Sequence, residues 1–207
     1  MPLRIVSNTI ILDKLGTLRR ADTPPDTFRR IVGELSVQLF FAAASELPFE
    51  EEEVNTPIAL TKIKQVAKPI SLISVMRAGN GMLEAILRVW PKSSVGHLGI
   101  YRDRFLNNTV EYYCKMPSHL ADSAVLALDP IIATGDKAVA SVRRLKEMGC
   151  RDISFLSLMS TAHGCELLLD KHPDIQLFVI SADDELNDEG YITPGIGDIG
   201  ARFYNTR

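Results

Sequence analysis

Two short stretches carry residue types that suit phosphate chemistry. The first runs Asp129-Pro130-Ile131-Ile132-Ala133-Thr134-Gly135-Asp136-Lys137. It follows the apolar run AVLAL and precedes a helical stretch. A strand, a Thr-Gly loop and a helix N-terminus together aim backbone N–H groups and the helix dipole at one point, where an anion is favoured. The Thr134 hydroxyl adds a donor, and Asp129 at the strand end suits ribose hydroxyls or a metal held through water. The loop is not a Walker A loop: Gly135 is followed by Asp136 rather than Lys. An ordinary strand-to-helix turn with a capping Asp fits the spacing equally well. The second stretch is Arg77-Ala78-Gly79-Asn80-Gly81, after the apolar ISLISVM. An Arg beside a Gly-rich turn can grip a diphosphate through two parallel hydrogen bonds; a surface Arg at a turn is the plainer reading. A third motif, GIGDIG at Gly195 to Gly200, matches a dinucleotide fingerprint only in form, because no buried strand leads into it and no βαβ unit follows. Its glycines suit a backbone that folds closely around a small planar ligand. Three of the four histidines, His97, His119 and His172, lack ligand spacing with Cys, Asp or Glu, and His163 begins a helix.

These stretches need elements to position them. Four segments are almost continuously apolar: Ile70 to Met76, Ala124 to Leu128, Ile153 to Met159 and Leu177 to Ala182. Strands buried on both faces read this way, and they belong to parallel sheets. Helical spacing lies between them, at Gly81 to Val89, Ala138 to Met148 and His163 to Lys171. A longer helix is expected over Asp26 to Ser45, where Phe28, Ile31, Val32, Leu35, Leu39 and Ala42 share one face. The acidic run Glu50 to Glu53 reads as solvated surface. Alternating strands and helices predict an α/β fold with a central, mostly parallel sheet flanked by helices. Ligands of such sheets bind beyond the carboxyl ends of the strands, where both phosphate-suited stretches fall. Val95 to Lys115 breaks the alternation and reads as an inserted β-hairpin arm turning at Asp103 to Thr109. The segment from Asp183 onward has no periodicity and many turn formers.

Composition narrows the function classes. The 207 residues include 23 Lys and Arg against 26 Asp and Glu, a net charge of −3. That balance disfavours non-specific nucleic-acid binding, which needs clustered cations. A hydrophobic share of 46% with 24% charged residues excludes a disordered chain. A single domain is expected over 1–207, with an N-terminal helical segment 1–55, a core 56–182 and a C-terminal hood 183–207. Three cysteines without a CxxC pair argue against a zinc ribbon or a disulfide framework. No apolar run reaches membrane-span length and none suits a signal peptide, so a cytoplasmic location without membrane contact is expected.

Taken together, the segments LDKLGTLRRADT, FRRIVGEL, VMRAGNGM, VGHLGIYRD, VEYYCKMP, DPIIATGDKAVA and DDELNDEGYITPGIGDIGAR resemble the uracil phosphoribosyltransferases across nearly the whole chain. The DPxxATG loop, the VEYYCK strand and the LNDxGYIxPGxGD tail, in this order, make the resemblance specific. It implies a type I phosphoribosyltransferase-like core. The reaction it implies joins uracil to 5-phosphoribosyl pyrophosphate, giving UMP and pyrophosphate, with Mg²⁺ held mainly through the substrate. On this resemblance Arg77, Arg102, Asp129 to Lys137 and Asp198 meet the phosphoribosyl pyrophosphate. Ile192, Gly197, Asp198 and Ile199 form the uracil-binding hood. Asp129, Arg102 and Asp198 are the residues placed nearest the chemistry. The stretch from Arg102 to Val110 corresponds to a flexible arm that closes the site or meets a second subunit, and a homodimer or higher homo-oligomer is implied.

Two departures stand out. The family loop usually has Gly-Gly-Ser or Gly-Gly-Thr after the Thr, where this chain has Gly135-Asp136-Lys137. The family tail usually has Asp-x-Gly-Asp-Arg, where this chain has Asp198-Ile199-Gly200-Ala201-Arg202. On this reading Asp136 lies close to the 5'-phosphate, and Lys137 offsets its charge as a point cation. A second function thereby stays open: a diverged relative that binds nucleotides or phosphoribosyl groups as a regulatory protein.

Overall fold

The computed structural model describes residues 2–103, 108–183 and 185–206. In chain order its elements are β1 (Leu3–Ile5), α1 (Thr9–Arg19), α2 (Pro25–Ala44), β2 (Phe49–Asn55), β3 (Leu60–Val66), β4 (Ile70–Met76), α3 (Gly79–Val89), β5 (Ser94–Asp103), β6 (Asn108–Lys115), β7 (Ala124–Leu128), β8 (Ile131–Ile132), α4 (Asp136–Glu147), β9 (Ile153–Thr161), α5 (Ala162–Lys171), β10 (Gln176–Asp183), β11 (Glu185–Leu186), β12 (Ile192–Thr193) and α6 (Ile199–Tyr204). The main sheet has the order β1-β10-β9-β7-β4-β5-β6, with the short β8 also on β9. Every pairing is parallel except β5 with β6.

The four apolar runs are strands of this sheet, buried on both faces as their composition requires. Alternate residues of one strand serve two separate cores. Leu72, Leu126, Leu156 and Phe178 join the side chains of α1, α2 and α3 on one face. Ile73, Val125, Phe155 and Leu177 join those of α4 and α5 on the other. Helix α2 follows the expected apolar stripe, with Phe28, Ile31, Val32, Leu35 and Leu39 buried. Pro24 and Pro25 begin it without a side-chain cap; proline suits a first turn whose N–H groups lack partners anyway.

Three expectations need correction. The segment 1–55 is not only helical, because β1 adds an edge strand to the main sheet. Helix α1 lies within it, with Ile11, Leu15 and Leu18 buried at 3–4 spacing, a periodicity short enough to be passed over. The acidic run is solvent-exposed as expected, and it forms a strand. Glu51 and Glu53 on β2 stand opposite Lys64 and Lys62 on β3, and such opposite charges favour antiparallel register. This β2–β3 hairpin forms its own two-stranded sheet, and it crosses the expected boundary at 55/56. The arm read from Val95 to Lys115 is present as β5 and β6, but β5 also pairs in parallel with β4 and so belongs to the core sheet. Residues 104–107 of its turn lie outside the described residues. The tail holds one short helix, α6, and β11 pairs with β12.

Candidate active site

Parallel pairing places the carboxyl ends of β4, β7, β9 and β10 along one edge of the sheet. Asp129 ends β7 and is only 1% exposed. Arg77 ends the neighbouring β4, and Arg102 lies near the end of β5. The loop after Asp129 is braced from below by β9. The Pro130 carbonyl accepts from the N–H groups of Leu158 and Met159 at 3.2 and 3.1 Å. Ile131 and Ile132 pair with Met159 and Ser160, and Thr161 Oγ1 donates to the Ala133 carbonyl at 2.6 Å. Thr134 and Gly135 then turn the chain into α4. Gly135 has φ 90°, and a Cβ there would meet the Gly164 carbonyl at 2.9 Å. Only glycine suits that combination of left-handed backbone and close approach. Among the described residues helix α4 has no side-chain N-cap, and the first N–H groups of a helix lack intrahelical partners, the geometry that holds phosphate.

The charges on this loop are not arranged as the sequence suggests. Lys137 does not stand as a free cation for phosphate: its Nζ lies 2.8 Å from Asp129 Oδ2. Neither Asp129 oxygen has a well-aligned hydrogen-bond donor among the described residues, so Lys137 is its main compensation. Burial raises the Asp129 carboxyl above its ordinary value, and the Lys137 charge lowers it again. Asp136 accepts a hydrogen bond from Thr134 Oγ1 at 2.9 Å through Oδ2. The same Oδ2 lies 3.2 Å from Arg102 Nε.

The tail is tied down by residues that spacing alone does not reveal. Arg19, the last residue of α1, grips Asp183 at the end of β10 through two hydrogen bonds of 2.8 Å each. Ser181 Oγ and the Gly195 N–H complete the carboxylate's shell at 2.9 and 3.1 Å. Arg19 Nη1 also donates to the Gly195 carbonyl at 3.0 Å. Gly195 has φ 57°, and a Cβ there would lie 1.9 Å from the Ile192 carbonyl, so the hood's close turn requires glycine. Arg202 donates to the carbonyls of Leu18, Ile196 and Arg20 at 2.6–2.7 Å and stacks over Phe28. Asp198 caps α6 by accepting from the Ala201 N–H at 2.9 Å. Tyr204 Oη donates to the Arg77 carbonyl at 2.8 Å, with the Arg77 guanidinium 5.6 Å from its ring.

The expected site residues thus fall into three linked groups. Asp129 and Lys137 meet directly. Thr134, Asp136 and Arg102 form the second group. Ile192, Gly197, Asp198 and Ile199 sit on the tail; Ile192 and Ile199 are buried in the same core cluster against which Ala78, Ile131 and Ala133 pack. Arg77 stands apart from these groups and leans on Tyr204. Arg19, Asp183, Arg202 and Tyr204 are the additions; Arg19 and Asp183 are 164 positions apart, beyond any local pattern. A cavity of about 190 Å³ flanks the loop between Arg102, Thr109, Asp136 and Lys171. A wider cleft of about 750 Å³ opens between α2, α3 and α6. It holds no carboxyl end of a strand and no glycine loop, so the chemistry points to the loop edge instead.

Residues 5–206 match the family model described as uracil phosphoribosyltransferase. A uracil phosphoribosyltransferase of Acidovorax sp. (strain JS42) is 38% identical over 206 residues, which covers 99% of each chain. A solved structure from Aquifex aeolicus superposes with a TM-score of 0.91 at 32% identity, covering 98% of this chain and 97% of that one. A hypoxanthine-guanine phosphoribosyltransferase of Bacillus anthracis shares the fold alone, with a TM-score of 0.52 at 8% identity over 77% of this chain and 80% of that one.

Two outcomes follow from these charges. Because burial raises the Asp129 carboxyl in the fold, the folded protein takes up that proton more readily than the unfolded chain. Its contribution to stability therefore falls as pH rises from the ordinary carboxylate range through the raised folded value. Asp129→Asn is neutral at every pH, so this pH dependence should be absent from its stability profile, as read by urea titration at several pH values. Asp183 behaves oppositely: Arg19 holds its carboxyl below the ordinary value, so its stabilisation is present above that value and is lost as pH falls through the depressed one. Arg19→Ala should cost about 1–3 kcal/mol at neutral pH and should flatten the acid limb of the stability profile. An acid limb as steep as the parent's would show that this pair does not set it.

Proposed function

The chain belongs to the uracil phosphoribosyltransferase family, and we propose that it transfers the phosphoribosyl group of 5-phosphoribosyl pyrophosphate to uracil, giving UMP and pyrophosphate. The observation that carries this reading is the meeting of two unlike surfaces on one sheet edge. One is the Asp129 to Lys137 loop, with the orphan N–H groups of α4, which suits a sugar phosphate. The other is the Ile192 to Ile199 hood, whose backbone turns at Gly195 and Gly197 and suits the edge of a planar base. On this reading Arg102, beside Asp136, and Arg77, just after the neighbouring strand β4, supply positive charge for the diphosphate.

The reaction asks little of acids and bases. The bond from C1' to the pyrophosphate oxygen breaks, positive charge develops on the ribose ring, and a uracil nitrogen forms the new bond on the opposite face. Pyrophosphate carries away the electron pair, and the attacking nitrogen of uracil gives up its N–H proton. Arg77 and Arg102 stabilise the departing charge. The loop and the hood hold sugar and base in line, which lowers the entropic barrier. On this reading the Asp129 carboxylate holds ribose hydroxyls and favours positive charge on the ring. Closing the site over the sugar keeps out water, which would otherwise compete for C1'.

Magnesium, when bound, neutralises part of the diphosphate charge. No group of three or more carboxylate, imidazole or thiol side chains converges among the described residues. The donor set that fits the ion is then the diphosphate oxygens with water, in keeping with a cation that retains several waters. A homodimer belongs to the same reading. The β2–β3 hairpin leaves Ile58 95% exposed, with Leu60 and Phe49 also exposed, and a lone two-stranded hairpin is marginal without a covering surface. A cytoplasmic location suits the three free thiols; among the described residues no helix is long and apolar enough to cross a membrane.

Purified protein with uracil, phosphoribosyl pyrophosphate and Mg²⁺ is expected to form UMP. Cytosine should be used about 10⁴-fold less well, since a site that pairs with one base edge leaves its polar groups unpaired against another. No UMP above blank at high enzyme concentration would sink the catalytic reading and favour the regulatory binding protein. Arg77→Ala and Arg102→Ala should each weaken use of phosphoribosyl pyrophosphate by about 10- to 100-fold, as expected for charge-assisted bonds to phosphate, with a smaller effect on uracil. An unchanged Michaelis constant for phosphoribosyl pyrophosphate would remove that arginine from the site.

A further inference from the structure

The oddest feature of the loop is that its donors are already occupied by the loop's own carboxylate. Oδ2 of Asp136 accepts the Thr134 hydroxyl at 2.9 Å and stands 3.2 Å from Arg102 Nε. Asp136 is also the first residue of α4, after the left-handed Gly135, where the helix dipole favours an anion. A hydroxyl, a guanidinium and a helix N-terminus are the groups that a sugar phosphate would need at this loop. The arginine reaches across from β5, the strand that leads into the arm. One carboxylate therefore connects the phosphate loop to the arm. Lys137, the neighbouring cation, does not neutralise it, because Lys137 is turned to Asp129.

We propose that Asp136 is a positioning residue for Arg102: in the ligand-free protein its carboxylate stands in for the sugar phosphate and latches the β5–β6 arm to the phosphate loop. The inference rests on the phosphoribosyl transfer proposed above. Binding is then an exchange. The incoming phosphate, with more charge than one carboxylate, takes the Thr134 hydroxyl and the helix N-terminus, and Arg102 passes from Asp136 to the substrate. The ion pair is partly exposed at both ends, 44% and 39%, so it is weak enough to open. The latch also supplies a specificity element: an anion carrying less charge than a phosphate has less to offer in the exchange.

The test uses Asp136→Asn, which keeps the shape and the hydrogen bond from Thr134 but removes the charge facing Arg102. Asp136→Glu serves as the rescue, since it restores the charge. Amide hydrogen exchange of the ligand-free proteins reads the latch without substrate. Peptides from residues 98–103 and 108–113 should exchange about two- to fivefold faster in Asp136→Asn, the range open to a half-exposed ion pair. Peptides from β9 should stay unchanged, and Asp136→Glu should recover the slow exchange at least in part. Titration calorimetry with phosphoribosyl pyrophosphate and Mg²⁺ should show binding to Asp136→Asn tightened by a similar factor. Equal arm exchange in parent and Asp136→Asn overturns the latch. Equal or weaker binding by Asp136→Asn overturns the stand-in. UMP formation by both proteins is measured alongside: tighter binding and faster exchange without UMP would keep the latch and reject the transferase reading.

Discussion

Parallel strand pairing is the constraint from which the rest of this molecule follows. When β4, β7, β9 and β10 run in one direction, their carboxyl ends share one edge, and the loops that leave them have only that edge to occupy. The backbone donors and acceptors within the sheet are used by neighbouring strands. The loops beyond it are bound less completely and keep polar groups for a ligand. The Asp129 loop shows both conditions at once: its Pro130 and Ala133 carbonyls are engaged by β9, whereas α4 begins without a side-chain cap and its first N–H groups lack intrahelical partners. A rigid floor and an open rim come from the same pairing.

Charge is handled differently at the two ends of the site. At the loop, charged groups pair with one another while no ligand is present: Lys137 with the buried Asp129, and Arg102 with Asp136. At the tail, the pairing is structural. Arg19 and Asp183 face each other through two parallel bonds and also hold the Gly195 backbone, which fixes where the hood sits over the strand ends. In the latch proposed above the Arg102–Asp136 pair opens as substrate enters, and both its partners are partly exposed. The Arg19–Asp183 pair is far less exposed, with Asp183 at 9%, and it is linked to a glycine turn that tolerates no side chain. A weak pair stands where exchange is needed, and a strong one stands where geometry must hold.

Much of the fold was legible because burial on both faces leaves a simple mark. The run Ile70 to Met76 and the run Ala124 to Leu128 are strands over those same residues, since a central strand of a parallel sheet is covered on both faces, and the two serines of the first run, Ser71 and Ser74, are buried with hydrogen-bond partners. Helix α2 was legible for a similar reason, its apolar stripe being long enough to average out chance. The β2–β3 hairpin was not. It stands on its own, its residues are mostly exposed, and its stabilising pairs, such as Glu51 opposite Lys64, lie across a turn rather than along one strand. Helix α1 has only three buried positions, too few to stand clear of its polar neighbours.

The residue types at the site were set by the sequence itself: an arginine after β4, a Thr-Gly turn before α4, glycines in the tail, and a carboxylate and an ammonium where the family has a glycine and a hydroxyl. Local order suffices for such features, because a strand, a turn and a helix in succession dictate a loop at a helix N-terminus. Which charge meets which was decided only in three dimensions. Lys137 turns to Asp129, eight positions earlier, because an ionised carboxylate buried to 1% exposure must have a counter-charge, and Lys137 is the cation one short loop away. Asp136 is thereby left to Arg102, which pairing of β5 with β4 carries to the same edge. Arg19 reaches Asp183 because α1 packs on the sheet and β10 ends beneath it. Side-chain pairing is a property of distance in space, and distance in space is settled by strand order, which no stretch of neighbouring residues records.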